Sequence, residues 1–309
     1  MKKILFLIIF LISSQICYSE SLDYKDLKKI LKNSTFMDKK GKPYSEEEIK
    51  DKKNTILIMY NHGSEPDHKI DPCKLKPGFG YTWEGAVVPA ILSLHNKKIK
   101  ELEIKIYRLC SGVKGMSSKD QKKIRKSIKK GEELNLFAEF KQLKRQKIIL
   151  SKLEEFSEKG FENIILAGWS AGAWASLNLQ SRFPEKIKGV IAINPAFAGP
   201  KNEWQKKYLE WGAFRKHQVN IFKQSDSLNA IIFSHSKDDF EDPETLSFFK
   251  EFKGMQFIDY SEVKPASCNW ADVDKKMPPN NGHYIPQSSC VTKYINDNNY
   301  LINYLEKIF

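Results

Sequence analysis

Five residues, Gly168-Trp169-Ser170-Ala171-Gly172, form a G-x-S-x-G directly after the apolar run Ile164-Ile165-Leu166-Ala167 and before a stretch of helical character. A serine hydroxyl is a weak nucleophile until a base takes its proton. A sharp strand-to-helix turn would lift that hydroxyl clear of a sheet. The helix N-terminus behind it would favour the negative charge that develops as serine attacks a carbonyl. The base must be an imidazole within reach. Of the six histidines, only His283, in Asn281-Gly282-His283-Tyr284, follows every candidate acid. A carboxylate is then needed to fix the imidazole tautomer and stabilise its charged form. The acidic stretch Lys237-Asp238-Asp239-Phe240-Glu241-Asp242-Pro243 offers it. Asp239, four residues before Pro243, is the favoured acid, and Asp238, nearer the strand end, is the alternative. Asp242 is better explained as a helix N-cap.

Attack on a carbonyl also needs donors for the oxyanion. Asn61-His62-Gly63-Ser64 follows the apolar run 55–60. The Ser64 N–H is the favoured first donor, with Gly63 as the alternative, and Ala171, just after the nucleophile, is the second. His62 is expected to shape this loop, and His235 shares the loop of the acid.

These loops must be held by a scaffold, and the hydrophobic pattern names it. Apolar strand-like runs at 55–64, 105–112, 163–172, 189–197, 228–239 and 255–263 alternate with helical stretches at 84–95, 139–159, 173–182, 202–223, 244–252 and 291–308. Near-continuous apolar strands alternating with helices predict a mainly parallel central sheet covered by helices on both faces. Sites in such sheets lie beyond the carboxyl ends of the strands, where the four loops fall. Residues 20–54 are charged and are expected to pack outside this sheet as an N-terminal extension, with the main domain at 55–309.

The order Ser170, Asp239 (or Asp238), His283, together with His62-Gly63 and Gly282-His283, resembles the α/β-hydrolase superfamily over residues 55–309. Within it the chain is similar to secreted dienelactone-hydrolase-like proteins and small serine esterases. Dienelactone hydrolases proper use cysteine where this chain has Ser170, so their substrate is not carried over. The resemblance implies an α/β-hydrolase fold without a large cap domain, since residues 196–227 leave room for a helix only. It implies a serine hydrolase that cleaves a small-molecule carboxylic ester through an acyl-serine, with no cofactor and no metal. A peptidase or acyltransferase on the same fold, or a catalytically inactive binding protein, are the alternatives. A basic insertion at 111–139 precedes the long helix and is the unusual part.

Lys2 and Lys3, the apolar run 4–12, and Cys17 and Ser19 placed before Glu20 read as a signal peptide over residues 1–19. The protein is therefore expected to be exported, periplasmic or secreted, with no stable membrane anchor after cleavage. Cys73, Cys110, Cys268 and Cys290 would remain, an even number that suggests two disulfides in an oxidising compartment. Three connectivities are possible, and Cys73–Cys110 with Cys268–Cys290 is favoured because each pair closes a short loop. No CxxC spacing suggests zinc. The net charge is +13, but only five of the basic residues are arginine. Within the lysine-rich stretch 114–147, no aromatics interleave its densest run, KDQKKIRKSIKK at 119–130, as a nucleic-acid stacking surface would require, so no nucleic-acid partner is expected.

Overall fold

The computed structural model describes residues 33–64, 73, 86–113, 122, 126, 138–207, 209–268 and 281–309. Its centre is a parallel run of six strands in the order β5 (Leu102–Leu109), β3 (Thr55–Asn61), β6 (Asn163–Trp169), β7 (Gly189–Ile193), β8 (Ser227–Ser234) and β9 (Lys253–Asp259). All seven residues of β3 and all five of β7 are buried, because helices cover both faces of the sheet.

The two-residue repeat of a strand sends alternate side chains to opposite layers. Leu57, Met59, Leu166, Val190, Ala192 and Ile232 pack against α2 (Ala138–Glu158), α3 (Ala171–Arg182) and α4 (Leu209–Phe222). Ile56, Ile58, Ile165, Ile191 and Ile231 face α1 (Pro89–Leu92), α5 (Ser289–Asp297) and α6 (Tyr300–Ile308). On the first face α2 contributes Ile148, Ile149, Leu153 and Phe156, all buried. That packing fixes which face of α2 turns towards the strand ends.

The structure departs from the sequence reading at the margins. Residues 33–54 do not lie outside the sheet: β1 (Thr35–Met37) pairs antiparallel with β5, and β2 (Pro43–Tyr44) pairs with β1. Phe36 and Met37 are buried, so the sheet domain begins before residue 55. A short strand, β4 (Lys98–Ile99), also pairs with β5. The helix expected at 244–252 is a 3-10 turn at Ser247–Glu251, and that at 202–223 is a π-turn at Glu203–Lys207 followed by α4. The helix expected at 291–308 is broken at Asn299, whose φ of 52° reverses the chain between α5 and α6. The proposed leader, residues 1–19, and nearly all of the insertion at 111–139 lie outside the described residues.

Disulfides join Cys73 to Cys110 and Cys268 to Cys290, with Cα–Cα distances of 5.6 and 5.5 Å. This is the pairing favoured from loop length. Among the described residues no helix is long and apolar enough to cross a membrane.

Candidate functional site

β6 runs into α3 through Ser170, which has φ 55° and ψ −128°. A non-glycine residue at positive φ is strained by about 1–3 kcal/mol and persists only where its surroundings enforce it. Here the Ser170 N–H donates to the Ile193 carbonyl (3.1 Å), and its own carbonyl accepts from Trp174 and Ala196. Gly172 is needed for close approach. A Cβ there would strike the Asn61 carbonyl and come within 2.5 Å of that of His62. The nucleophile turn and the loop after β3 are thus in backbone contact.

The imidazole of His283 lies between Ser170 and Asp238. Its Nε2 is 2.9 Å from Ser170 Oγ, and its Nδ1 is 2.8 Å from Asp238 Oδ2. Serine, histidine and aspartate are all buried. The other carboxylate oxygen of Asp238 accepts from the N–H groups of Phe240 (2.8 Å) and Glu241 (3.3 Å), which hold the acid in place. With Asp238 accepting at Nδ1, the proton sits on Nδ1 and Nε2 is free to accept from the Ser170 hydroxyl.

Asp239, the favoured acid from sequence, is not the residue that meets His283. It is exposed, and its carboxylate accepts from Asn281 Nδ2 at 3.2 Å. Asp242 accepts from the Thr245 N–H and pairs with Lys201, a capping geometry.

Several contacts fix the His283 loop. The Gly282 N–H donates to the Lys237 carbonyl (2.7 Å). A Cβ on Gly282 would lie 2.6 Å from His235 Nδ1 and 2.7 Å from the Lys237 carbonyl carbon, so glycine lets the acid and base loops touch. Asn194, at φ 43° after β7, donates to the Gly282 carbonyl (2.8 Å), and Trp169 Nε1 donates to the His283 carbonyl (3.0 Å). Phe240 stacks on the imidazole, 4.0 Å between ring centroids at 18°. None of the parts played by Asn194, Trp169 and Phe240 was read from sequence. An asparagine directly after a buried strand, able to adopt positive φ, was the one available signal.

The oxyanion candidates fall in the loop after β3 and at the start of α3. Gly63 abuts the nucleophile: a Cβ on it would be 3.4 Å from Ser170 Cβ. Ala171 is the first residue of α3, so its N–H has no intrahelical partner. Ser64 Oγ accepts from Arg145 Nη2 at 3.1 Å. His62 and His235 are each held by hydrogen bonds to backbone groups. His62 Nε2 accepts from the Ser111 N–H (3.2 Å), leaving the Nδ1 proton for the Gly63 carbonyl. Burial, then Arg145 and Arg108, hold its pKa well below the usual histidine value. His235 Nδ1 accepts from the Lys237 N–H, and its Nε2 faces the Val263 carbonyl.

One set of metal-type atoms occurs among the described residues: His62, Cys73 and Cys110, within 4.8 Å of one another. Two of the three are sulfurs of one disulfide, whereas a metal ligand must be a thiolate.

No protein-family model matches the sequence, and no curated protein does. Solved structures similar to this chain include Est1E from Butyrivibrio proteoclasticus, at 12% identity and a TM-score of 0.46, over 88% of this chain and 93% of that one. The Pyrococcus furiosus esterase Pf2001 is similar at 11% identity and a TM-score of 0.40, over 68% and 74%. The 2-hydroxy-6-oxo-6-phenylhexa-2,4-dienoate hydrolase of Rhodococcus sp. strain RHA1 is similar at 10% identity and 0.41, over 81% and 90%. The chain's own topology carries the conclusion. A parallel sheet clothed by helices on both faces, a strand–serine–helix turn at Ser170, and serine, aspartate and histidine following one another along the chain give this protein the α/β-hydrolase fold.

Proposed function

We propose that the protein is a serine hydrolase that cleaves a small-molecule carboxylic ester through an acyl-serine intermediate. The observation that carries the reading is the buried relay Ser170–His283–Asp238, with hydrogen-bond distances of 2.9 and 2.8 Å. His283 Nε2 takes the hydroxyl proton as Ser170 Oγ attacks the ester carbonyl. Asp238 stabilises the imidazolium that forms. The oxyanion is received by the N–H of Ala171 and by those of the loop at Gly63 and Ser64. The imidazolium then protonates the leaving alkoxide, the acyl-serine remains, and His283 activates water to release it. Esters rank above peptides because the alkoxide leaves more readily than an amide nitrogen.

Two disulfides and the leader-like residues 1–19 support export to the periplasm or beyond. A fluorophosphonate probe tests the core of the reading. Labelling of the wild type that vanishes in Ser170→Ala and His283→Ala is the expected result. Folded wild type that takes no label sinks the mechanism and leaves a binding protein as the reading to pursue. Turnover of a panel of p-nitrophenyl esters beside anilides and peptides then ranks esterase against peptidase.

A further inference from the structure

Arg145 sits on α2 behind the loop that follows β3, and the acyl-transfer scheme does not use it. The residue is 1% exposed. Nη1 donates to the His62 carbonyl at 2.5 Å, and Nη2 donates to the Gly63 carbonyl at 3.3 Å and to Ser64 Oγ at 3.1 Å. Among the described residues no carboxylate pairs with it. Burial pushes its pKa down to about 9, which still leaves it cationic at neutral pH. A buried cation with no carboxylate partner among the described residues is costly, which gives reason to look for a role beyond packing.

Its three acceptors belong to one short loop. In a trans peptide unit the C=O and the next N–H point in opposite directions. Holding the His62 carbonyl on Arg145 turns the Gly63 N–H the other way, and holding the Gly63 carbonyl does the same for the Ser64 N–H. Gly63 also meets the Ser170 turn: a Cβ on it would lie 3.4 Å from Ser170 Cβ. A cation on the carbonyl oxygen also draws charge through the amide and strengthens the N–H as a donor. One turn earlier on the same helix, Gln142 Nε2 donates to the Ala171 carbonyl at 3.3 Å. One face of α2 therefore holds both segments that supply the candidate donors.

We propose that Arg145 is a positioning residue that aims and polarises the Gly63 and Ser64 N–H groups as the oxyanion hole for Ser170. The inference rests on Ser170 being the nucleophile. The planar fork spans two carbonyls and a hydroxyl at once, which a lysine ammonium cannot do with the same geometry.

The test compares full-length wild type with Arg145→Met and Arg145→Lys on a p-nitrophenyl ester. It also compares inhibition by a trifluoromethyl ketone, which forms a tetrahedral adduct on serine, with inhibition by the carboxylate product. Losing an oxyanion donor costs about 10²–10³ in kcat. Folded Arg145→Met is expected to lose kcat on that scale, with KM nearly unchanged. Affinity for the ketone should fall in step with kcat, while affinity for the product stays. Arg145→Lys keeps the charge and most of the volume, so it serves if the methionine variant does not fold. It is expected to lose at least about tenfold in kcat at constant KM. Wild-type kcat in a folded variant, or equal weakening of ketone and product, overturns the proposal. A wild type that turns over no ester and takes no fluorophosphonate overturns the nucleophile reading instead, and is seen before any variant is made.

Discussion

The choice of acid turns on two neighbouring aspartates. Asp238 and Asp239 share charge and loop, yet a single step along the backbone sends their side chains to different places. Asp238 reaches inwards to His283 Nδ1, and Asp239 reaches outwards to Asn281. Asp238→Asn would present an amide donor to Nδ1, favour the wrong tautomer and leave Nε2 unable to accept the serine proton. The expected loss is about 10³–10⁴ in kcat. Asp239→Asn keeps a polar, exposed side chain outside the relay, and kcat is expected to remain near that of the wild type. Steady-state kinetics on one ester decide the matter, and the reverse order of effects would move the acid to Asp239. Sequence reasoning set its ruler at Pro243, taken as the start of a helix. The helical turn begins at Ser247 instead, so the offset from Pro243 carried no information about which carboxylate faces inwards.

The legible elements were those whose physics is uniform along their length. β3, β6, β7 and β8 are apolar because helices bury both faces, and their positions along the sequence followed from that, whereas their order in the sheet did not. β1 and β2 were not legible. They have three and two residues, too few to show a strand period, and they sit in a charged stretch of sequence where Phe36 and Met37 are buried. The break between α5 and α6 has no glycine or proline to announce it. The loop carrying His283 needs its glycine because it lies against the backbone of Lys237 and Asp238, a contact that neither stretch of sequence displays alone. Gly282→Ala would force a methyl group onto the backbone of Lys237 and Asp238, neither of which can yield as a flexible side chain would. The expected result is loss of turnover together with about 1–3 kcal/mol of stability, the cost typical of overpacking. Urea denaturation read beside kcat checks both, and a fully active, fully stable variant would mean the two loops are not in backbone contact. The Cys268–Cys290 disulfide brackets the same loop with a separation of 22 residues. Replacing both cysteines by serine is expected to lower stability by about 3 kcal/mol, the loop-closure value for that length. An unchanged urea midpoint would argue that the bond does not form in the native protein.

At the scale of the whole molecule, burial decides how the protein responds to acid. His62, His95 and His235 each have pKa values lowered by burial, His62 the furthest, with Arg145 and Arg108 adding to it. In the unfolded chain each titrates near 6.5. Between the folded and unfolded values the unfolded state binds more protons, so stability rises with pH across that window. The contribution is fully present above about pH 6.5 and is lost as pH falls towards the folded values. Glu241 works in the opposite sense. Burial raises its carboxyl above the usual range despite Arg215, so its protonation on acidification favours the fold. Among the described residues three imidazoles shifted this way stand against one such carboxyl, so stability is expected to fall on acidification. Glu46 and Glu155 add to it only at lower pH: burial would raise them, but hydrogen bonds from Lys159, with Lys52 on Glu46 and Lys152 on Glu155, leave both below the usual glutamate value. The urea midpoint is therefore expected to hold from pH 7.5 to about pH 6.5 and then to fall towards pH 5, before ordinary acid unfolding begins. A midpoint that is flat or rises over that interval would mean that the buried imidazoles find protons, or partners for them, in the folded state. His62 is the residue where that matters most, because a charged ring there could no longer accept from the Ser111 N–H, and the loop in front of Ser170 would lose that anchor.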